Sequence, residues 1–144
     1  MQSVRMILRR KGSEIFGIAP DDTVLQALQA MAMRNCGALV VLQAGRPVGM
    51  ISERDYARKV ILLRRASNTT AVRDVMNPHV PSIPIDLPLE RCMELMTERR
   101  SRHLLVRDGD ALAGVISIGD VVKELLHEQR ATIDQLTQYI TGSG

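Results

Sequence analysis

The sequence predicts a mixed α/β (α+β) fold of two β-α-β-β-α repeats, packed sheet to sheet as a pseudo-twofold pair. Three observations carry this expectation. First, Gly49-Met50-Ile51-Ser52-Glu53-Arg54-Asp55 recurs as Gly114-Val115-Ile116-Ser117-Ile118-Gly119-Asp120, a shift of 65 positions (114 − 49). Second, the same shift pairs Ile18 with Ile83, Asp21 with Asp86, Met31 with Met96, Arg34 with Arg99, Leu39 with Leu104 and Val41 with Val106, without a gap. A fixed period reports the unit of architecture. Third, 144 residues is one domain's length, so the two half-size repeats must share a core.

The elements follow in order. Val4–Arg10 reads as a short helical turn, Lys11-Gly12-Ser13 as a loop and Phe16–Ile18 as a short strand. Pro20-Asp21-Asp22 is a turn that caps a helix over Thr23–Arg34, whose apolar residues fall near helical spacing. Ala38–Leu42 is an apolar strand, Ala44-Gly45-Arg46-Pro47 turns the chain, and Val48–Ile51 returns as a second strand. Ser52 opens a helix that continues to about Leu63.

Arg64–Thr70 is small and polar and reads as the linker. In the second repeat Val72–Met76 is the leading turn, Ser82–Ile83 the short strand and Pro88–Arg99 the first helix. Leu104–Val106 and Leu112–Ile116 form the hairpin around Asp108-Gly109-Asp110. Ser117 then opens a last helix running almost to the end, and Thr141–Gly144 reads as frayed coil. The organisation is therefore a first repeat over 1–64, a linker over 65–71 and a second repeat over 72–144. The leaders are offset by 68 positions (72 − 4), so the Lys11–Ile15 loop is longer in the first repeat and its site is shaped differently.

Composition narrows the function. The 45% hydrophobic and 24% charged fractions are those of a globular protein. One Phe, two Tyr and no Trp leave an aliphatic core and no aromatic platform for stacking bases. The net charge of +3, with pairs such as Arg9-Arg10, suits solvated helix ends or a small phosphorylated ligand better than bulk nucleic acid. Cys36 and Cys92 form no disulfide framework, and Cys92 lies on an apolar stripe. The longest wholly apolar stretches, such as Val60–Leu63, are too short to span a membrane. The basic start Met1–Lys11 reads as part of the repeat, and a cytoplasmic location is expected by default. His79, His103 and His127 lack metal-ligand spacing, so no metal is expected. Neither a nucleophile in a catalytic setting nor a glycine-rich phosphate loop is visible, and the chain is not expected to be an enzyme.

Two stretches carry chemistry. Ser-x-x-Asp at a strand-to-helix junction is close to a capping box, a purely structural role. That role leaves one carboxylate oxygen over. A carboxylate is an acceptor that takes two hydroxyl donors, so Asp55 and Asp120 suit the cis-diol of a ribose, assisted by Ser52 and Ser117. Gly49 and Gly114 give room for close backbone approach. An aliphatic crevice between Ile18 and Ala38–Val40, or between Ile83 and His103–Leu105, would take a purine face, with Ala38, Leu39, Ser82 and Leu104 among the candidate contacts. Most of those residues are also plain core, and only the strand ends offer polar groups matching adenine. Arg102, His103 and Arg54 can meet phosphates, and Lys11 can close over a site. Gly37-Ala38 stands where Arg102-His103 stands, so the two sites should differ.

The two G-h-I-S-x-x-D signatures, the leader VRDVM (Val72–Met76) and the strand RHLLV (Arg102–Val106) resemble the CBS domain family in its tandem form, the Bateman module. SERDYARKVIL, SIGDVVK and the terminal LTQYITG are similar to small stand-alone CBS-pair proteins. The resemblance implies a regulatory module with AMP, ADP, ATP, NAD or S-adenosylmethionine in clefts between repeats, the signature Asp on the ribose, and a role in sensing energy or redox state. It also implies a homodimer formed through exposed helix faces, which Ile133, Leu136 and Ile140 would suit. The alternative it leaves is an interaction scaffold with vestigial sites, such as a regulator of thioredoxin.

Overall fold

The computed structural model describes residues 3–141. The chain forms two compact units, residues 14–80 and residues 1–13 with 81–144, so the units are not the sequence repeats. Each repeat's leading segment packs in the unit that holds the other repeat's sheet.

The unit of residues 14–80 contains β1 (Gly17–Ile18), α2 (Val24–Arg34), β2 (Ala38–Gln43), β3 (Arg46–Ser52) and α3 (Glu53–Tyr56). β1 runs parallel to β2, and β2 pairs antiparallel with β3. Thr23, not the preceding Pro-Asp-Asp turn, caps α2: its hydroxyl accepts from the Gln26 N–H while the Gln26 side chain accepts from the Thr23 N–H. The linker also serves this helix. Its Thr70 and Ser67 carbonyls accept from the Val24 and Leu25 N–H groups, both at 2.9 Å, satisfying amides that a helix start leaves over. The helix expected from Ser52 to about Leu63 is instead one α-turn followed by a π-helical turn, Ala57–Ile61. Val24, Ala27 and Met31 of α2 pack with Leu39, Val41, Ile51, Val60, Val72 and Val75. Each Val, Leu, Ile or Met side chain among them contributes about 1.5–3 kcal/mol when fully buried.

The other unit contains α1 (Val4–Lys11), β4 (Ser82–Pro84), α4 (Leu89–Arg99), β5 (His103–Asp108), β6 (Ala111–Ser117) and α5 (Ile118–Thr141). Its sheet repeats the topology: β4 is parallel to β5, and β5 antiparallel to β6. The leading segment is a full helix that takes in Lys11, which was expected in a loop. It is tied down by Val4 N–H to Leu87 O (3.1 Å), Arg5 N–H to Ile85 O (2.9 Å) and a two-bond Arg5–Asp86 pair. Val4, Ile7 and Leu8 enter a core with Ile83, Leu89, Cys92, Met96, Leu104, Val106, Ile116 and Val121. Thr141 closes α5; the rest of the tail expected as coil lies outside the described residues.

The two signature glycines admit the leaders. A Cβ on Gly49 would lie 2.6 Å from the Asn77 carbonyl oxygen, and one on Gly114 would lie 2.8 Å from the Leu8 side chain. The close backbone approach expected at these glycines is found at Gly49, where main chain of the second leader lies, while at Gly114 the room is filled by the Leu8 side chain of the first.

Candidate ligand-binding site

In each unit the returning strand ends on a serine opposite the first residue of its antiparallel partner: Ser52 opposite Ala38, and Ser117 opposite His103. The chain then turns into a helix whose first amide is bound by the carbonyl just before the partner strand. Glu53 N–H donates to Gly37 O at 3.0 Å, and Ile118 N–H to Arg102 O at 2.9 Å. Three residues past the serine, the aspartate faces back toward the strand end.

The capping box exists in both units. Asp55 Oδ2 accepts from the Ser52 N–H and hydroxyl, each at 3.0 Å, and the Asp55 N–H donates to Ser52 Oγ at 3.2 Å. Asp120 Oδ2 accepts from the Ser117 N–H at 2.8 Å, and the Asp120 N–H donates to Ser117 Oγ at 3.2 Å. In this second box the other bond to Oδ2 comes from Lys11 Nζ at 2.8 Å, which also donates to Val115 O at 3.0 Å. Both carboxylates are half-buried, and both keep Oδ1 outside the capping bonds.

Burial acts to raise the Asp120 pKa. The Lys11 hydrogen bond, the Ser117 donors and the Lys11 charge outweigh it and hold the group below the usual carboxylate value. Asp120 is thus ionised at neutral pH and acts only as an acceptor. Asp55 has a lysine too: Lys59, one turn along, lies 3.5 Å from Oδ1 and donates to Val75 O at 2.9 Å.

The remaining sequence candidates are placed unevenly. Leu39, Ile83 and Leu104 have side chains in the helix-covered cores and sit within the paired strands, so they are core rather than ligand contacts. Ile18 pairs with Val41, three strand positions beyond Ala38. Ser82 is exposed, and its carbonyl accepts from Arg107 at 3.1 Å. Arg54 and Arg102 are exposed, and His103 is half-buried at the start of β5. Lys11, Ser117 and Asp120 come into direct contact, with His103 across the strand pair; Ser52 and Asp55 meet with Ala38 across from them. Lys59 was missed, although an acid and a lysine four apart on a helix are a readable pair. Arg10 on Glu124, at 3.1 Å, was also missed, and no local pattern announces it.

Two compact units of one topology, each with Ser-x-x-Asp at the same strand-to-helix corner, define a tandem-repeat mixed α/β protein with a duplicated polar corner. The chain belongs to the CBS domain family, which matches residues 7–62 and 72–127. It is 38% identical over 145 residues to the CBS domain-containing protein CBSX3, mitochondrial, of Arabidopsis thaliana, covering 94% of this chain and 70% of that one. Among solved structures, a candidate signal-transduction protein with CBS domains from Burkholderia ambifaria superposes with a TM-score of 0.84 at 41% identity, over 89% of this chain and 96% of that one. A CBS-domain containing protein of Agrobacterium tumefaciens gives 0.78 at 35%, over 85% and 97%. No helix among the described residues is long and apolar enough to cross a membrane.

Proposed function

We propose that this chain is a regulatory module that binds an adenosine-containing ligand at its Ser-x-x-Asp corners: AMP, ADP or ATP first, with NAD and S-adenosylmethionine as further candidates. The observation that carries the reading is the state of the two acids. Each is anchored through Oδ2 by a main-chain N–H at a helix start, and each keeps Oδ1 outside the capping bonds. A vicinal diol needs such an oriented acceptor pair. The main-chain groups of Ala38, at the strand end beside Asp55, suit the polar edge of adenine; at the matching position the His103 carbonyl already accepts from the Ser101 hydroxyl at 2.7 Å. A signal would arise from different affinities for two conformations of the protein.

Isothermal titration of folded, ligand-stripped protein with AMP, ATP, NAD and S-adenosylmethionine tests the reading. Binding that is lost stepwise in Asp55→Asn and Asp120→Asn supports it. No heat with any of the four sinks it. A scaffold with vestigial sites is favoured by one observation, the complete capping role that both acids already fill. On that reading the Asn variants bind a protein partner, thioredoxin included, as well as the wild type does.

The proposal includes a homodimer. Val122, Leu126, Gln129, Ile133, Leu136 and Ile140 of α5 recur at alternating intervals of four and three, the spacing of a two-helix seam. From Gln129 onward every residue of the helix is exposed. A second copy of the same helix supplies a matching stripe.

A further inference from the structure

We propose that ligand occupancy at Asp120 is coupled to the docking of the leading helix, because Lys11 holds the acceptor position that a bound diol needs. This rests on the reading of Asp120 as a ribose-binding acid, and adds what binding there does to the protein.

The last turn of α1 grips α5 at two points one turn apart. Lys11 binds Asp120, and Arg10 lies 3.1 Å from Glu124, which is 4% exposed and has Oε1 without a partner among the described residues. A carboxylate oxygen presents two lone-pair positions. Both positions on Asp120 Oδ2 are taken, one by the Ser117 N–H and one by Lys11. A diol that gives one hydroxyl to each carboxylate oxygen must take one of them. The Ser117 N–H is main chain at the end of β6 and stays. Lys11 is 40% exposed on a flexible stem and is the donor that leaves.

The other unit shows why this is a property of one site. There the second donor to Asp55 Oδ2 is the Ser52 hydroxyl, which rotates away without moving another element. Lys59 stands on the opposite oxygen at 3.5 Å. Only at Asp120 does vacating the acceptor undo a contact between separate helices. By linkage, the ligand loosens the end of α1 by the same factor that a docked α1 weakens the ligand.

The test uses adenosine, which carries the diol but no phosphate to attract Lys11, and an Asp55→Asn background so that the Asp120 site alone is read. Lys11→Met should bind adenosine about threefold more tightly, the scale of one partly exposed ion pair. In the Lys11-containing protein, saturating adenosine should speed amide exchange in residues 8–11, and Lys11→Met should abolish that response. A measurement that needs no variant at Lys11 supports these: adenosine is uncharged, so its affinity should rise with salt as the Lys11–Asp120 pair is screened. Equal or weaker binding in Lys11→Met, unchanged exchange in α1, or an affinity that salt leaves alone overturns the coupling while leaving the site. Failure of the wild type to bind either adenosine or AMP removes the site, and the coupling with it.

Discussion

Met50 and Asn77 exchange both main-chain hydrogen bonds: Met50 N–H donates to Asn77 O at 3.0 Å, and Asn77 N–H to Met50 O at 2.8 Å. This bridge lays the second repeat's leader along the first repeat's returning strand, against Gly49. A methyl group at Gly49 meets main chain at 2.6 Å and the Met76 sulfur at 3.1 Å. Gly49→Ala should therefore destabilise by about 1–3 kcal/mol, the cost of overpacking. At Gly114 the obstacle is the end of the Leu8 side chain, which can turn, so Gly114→Ala should cost less. Urea midpoints of the two variants give the order, and a reversed order contradicts this account.

The two capping serines should not be equal. The Ser52 hydroxyl both accepts from the Asp55 N–H and donates to its carboxylate. Ser117 accepts from the Asp120 N–H, while Lys11 holds the carboxylate. Ser52→Ala should cost about 1 kcal/mol or more, and Ser117→Ala less than that. Chemical denaturation at neutral pH measures both.

Acid should separate wild type from Asp120→Asn only over part of the pH range. Asp120 titrates below its ordinary value of 3.8 in the folded protein. A carboxylate with a depressed folded pKa contributes stability above its unfolded pKa, and loses it as pH falls through the folded pKa. The stability difference between the two proteins should thus be full at pH 6 and shrink below about pH 4. Lys11→Met should reduce the pH-dependent part of that difference. Stability curves against pH that stay parallel down to pH 2 rule this out.

The cysteines should react in a fixed order. Burial pushes the Cys92 thiol up to about 11, with its main-chain hydrogen bond opposing, and the residue is fully buried between α4 and the sheet. Cys36 is half-buried. Iodoacetamide at pH 8 should alkylate Cys36 and spare Cys92 until denaturant is added, since the thiolate is the reactive form. Peptide mass spectrometry reads the order directly.

On the far part of α5, Ile133→Glu and Leu136→Glu replace side chains that are already exposed. Circular dichroism and unfolding of the single chain should change little. Sedimentation should shift from dimer to monomer if the stripe is the seam. A dimer that survives both substitutions places the contact elsewhere.

Much of the architecture was legible because its signals are local or periodic. The ungapped recurrence exposed the duplicated hairpin, and the apolar runs at Ala38–Leu42 and Leu104–Val106 gave its central strands. The Ser-x-x-Asp spacing forecast the caps found in both units. Local signals failed where partners are far apart in sequence. Nothing near Lys11 shows that it meets Asp120, 109 residues away, and nothing near Gly114 shows that Leu8 covers it. The helix after Ser52 is a similar case: Ala57–Ile61 carries an ordinary helical pattern, yet it forms a π-turn, with Val60 in the same core as Val72 and Val75.

The order of residues alone therefore determined the repeated unit, its hairpins and the chemistry available at each corner, because periodicity and capping act over a few positions. Tertiary packing decided which leader lies on which sheet, and hence that Oδ2 of one signature acid is held by its own serine alone and Oδ2 of the other by its serine together with a lysine from α1. An ion pair or a strand bridge forms between groups that the fold brings within about 3 Å, and that proximity is written in no short stretch of sequence.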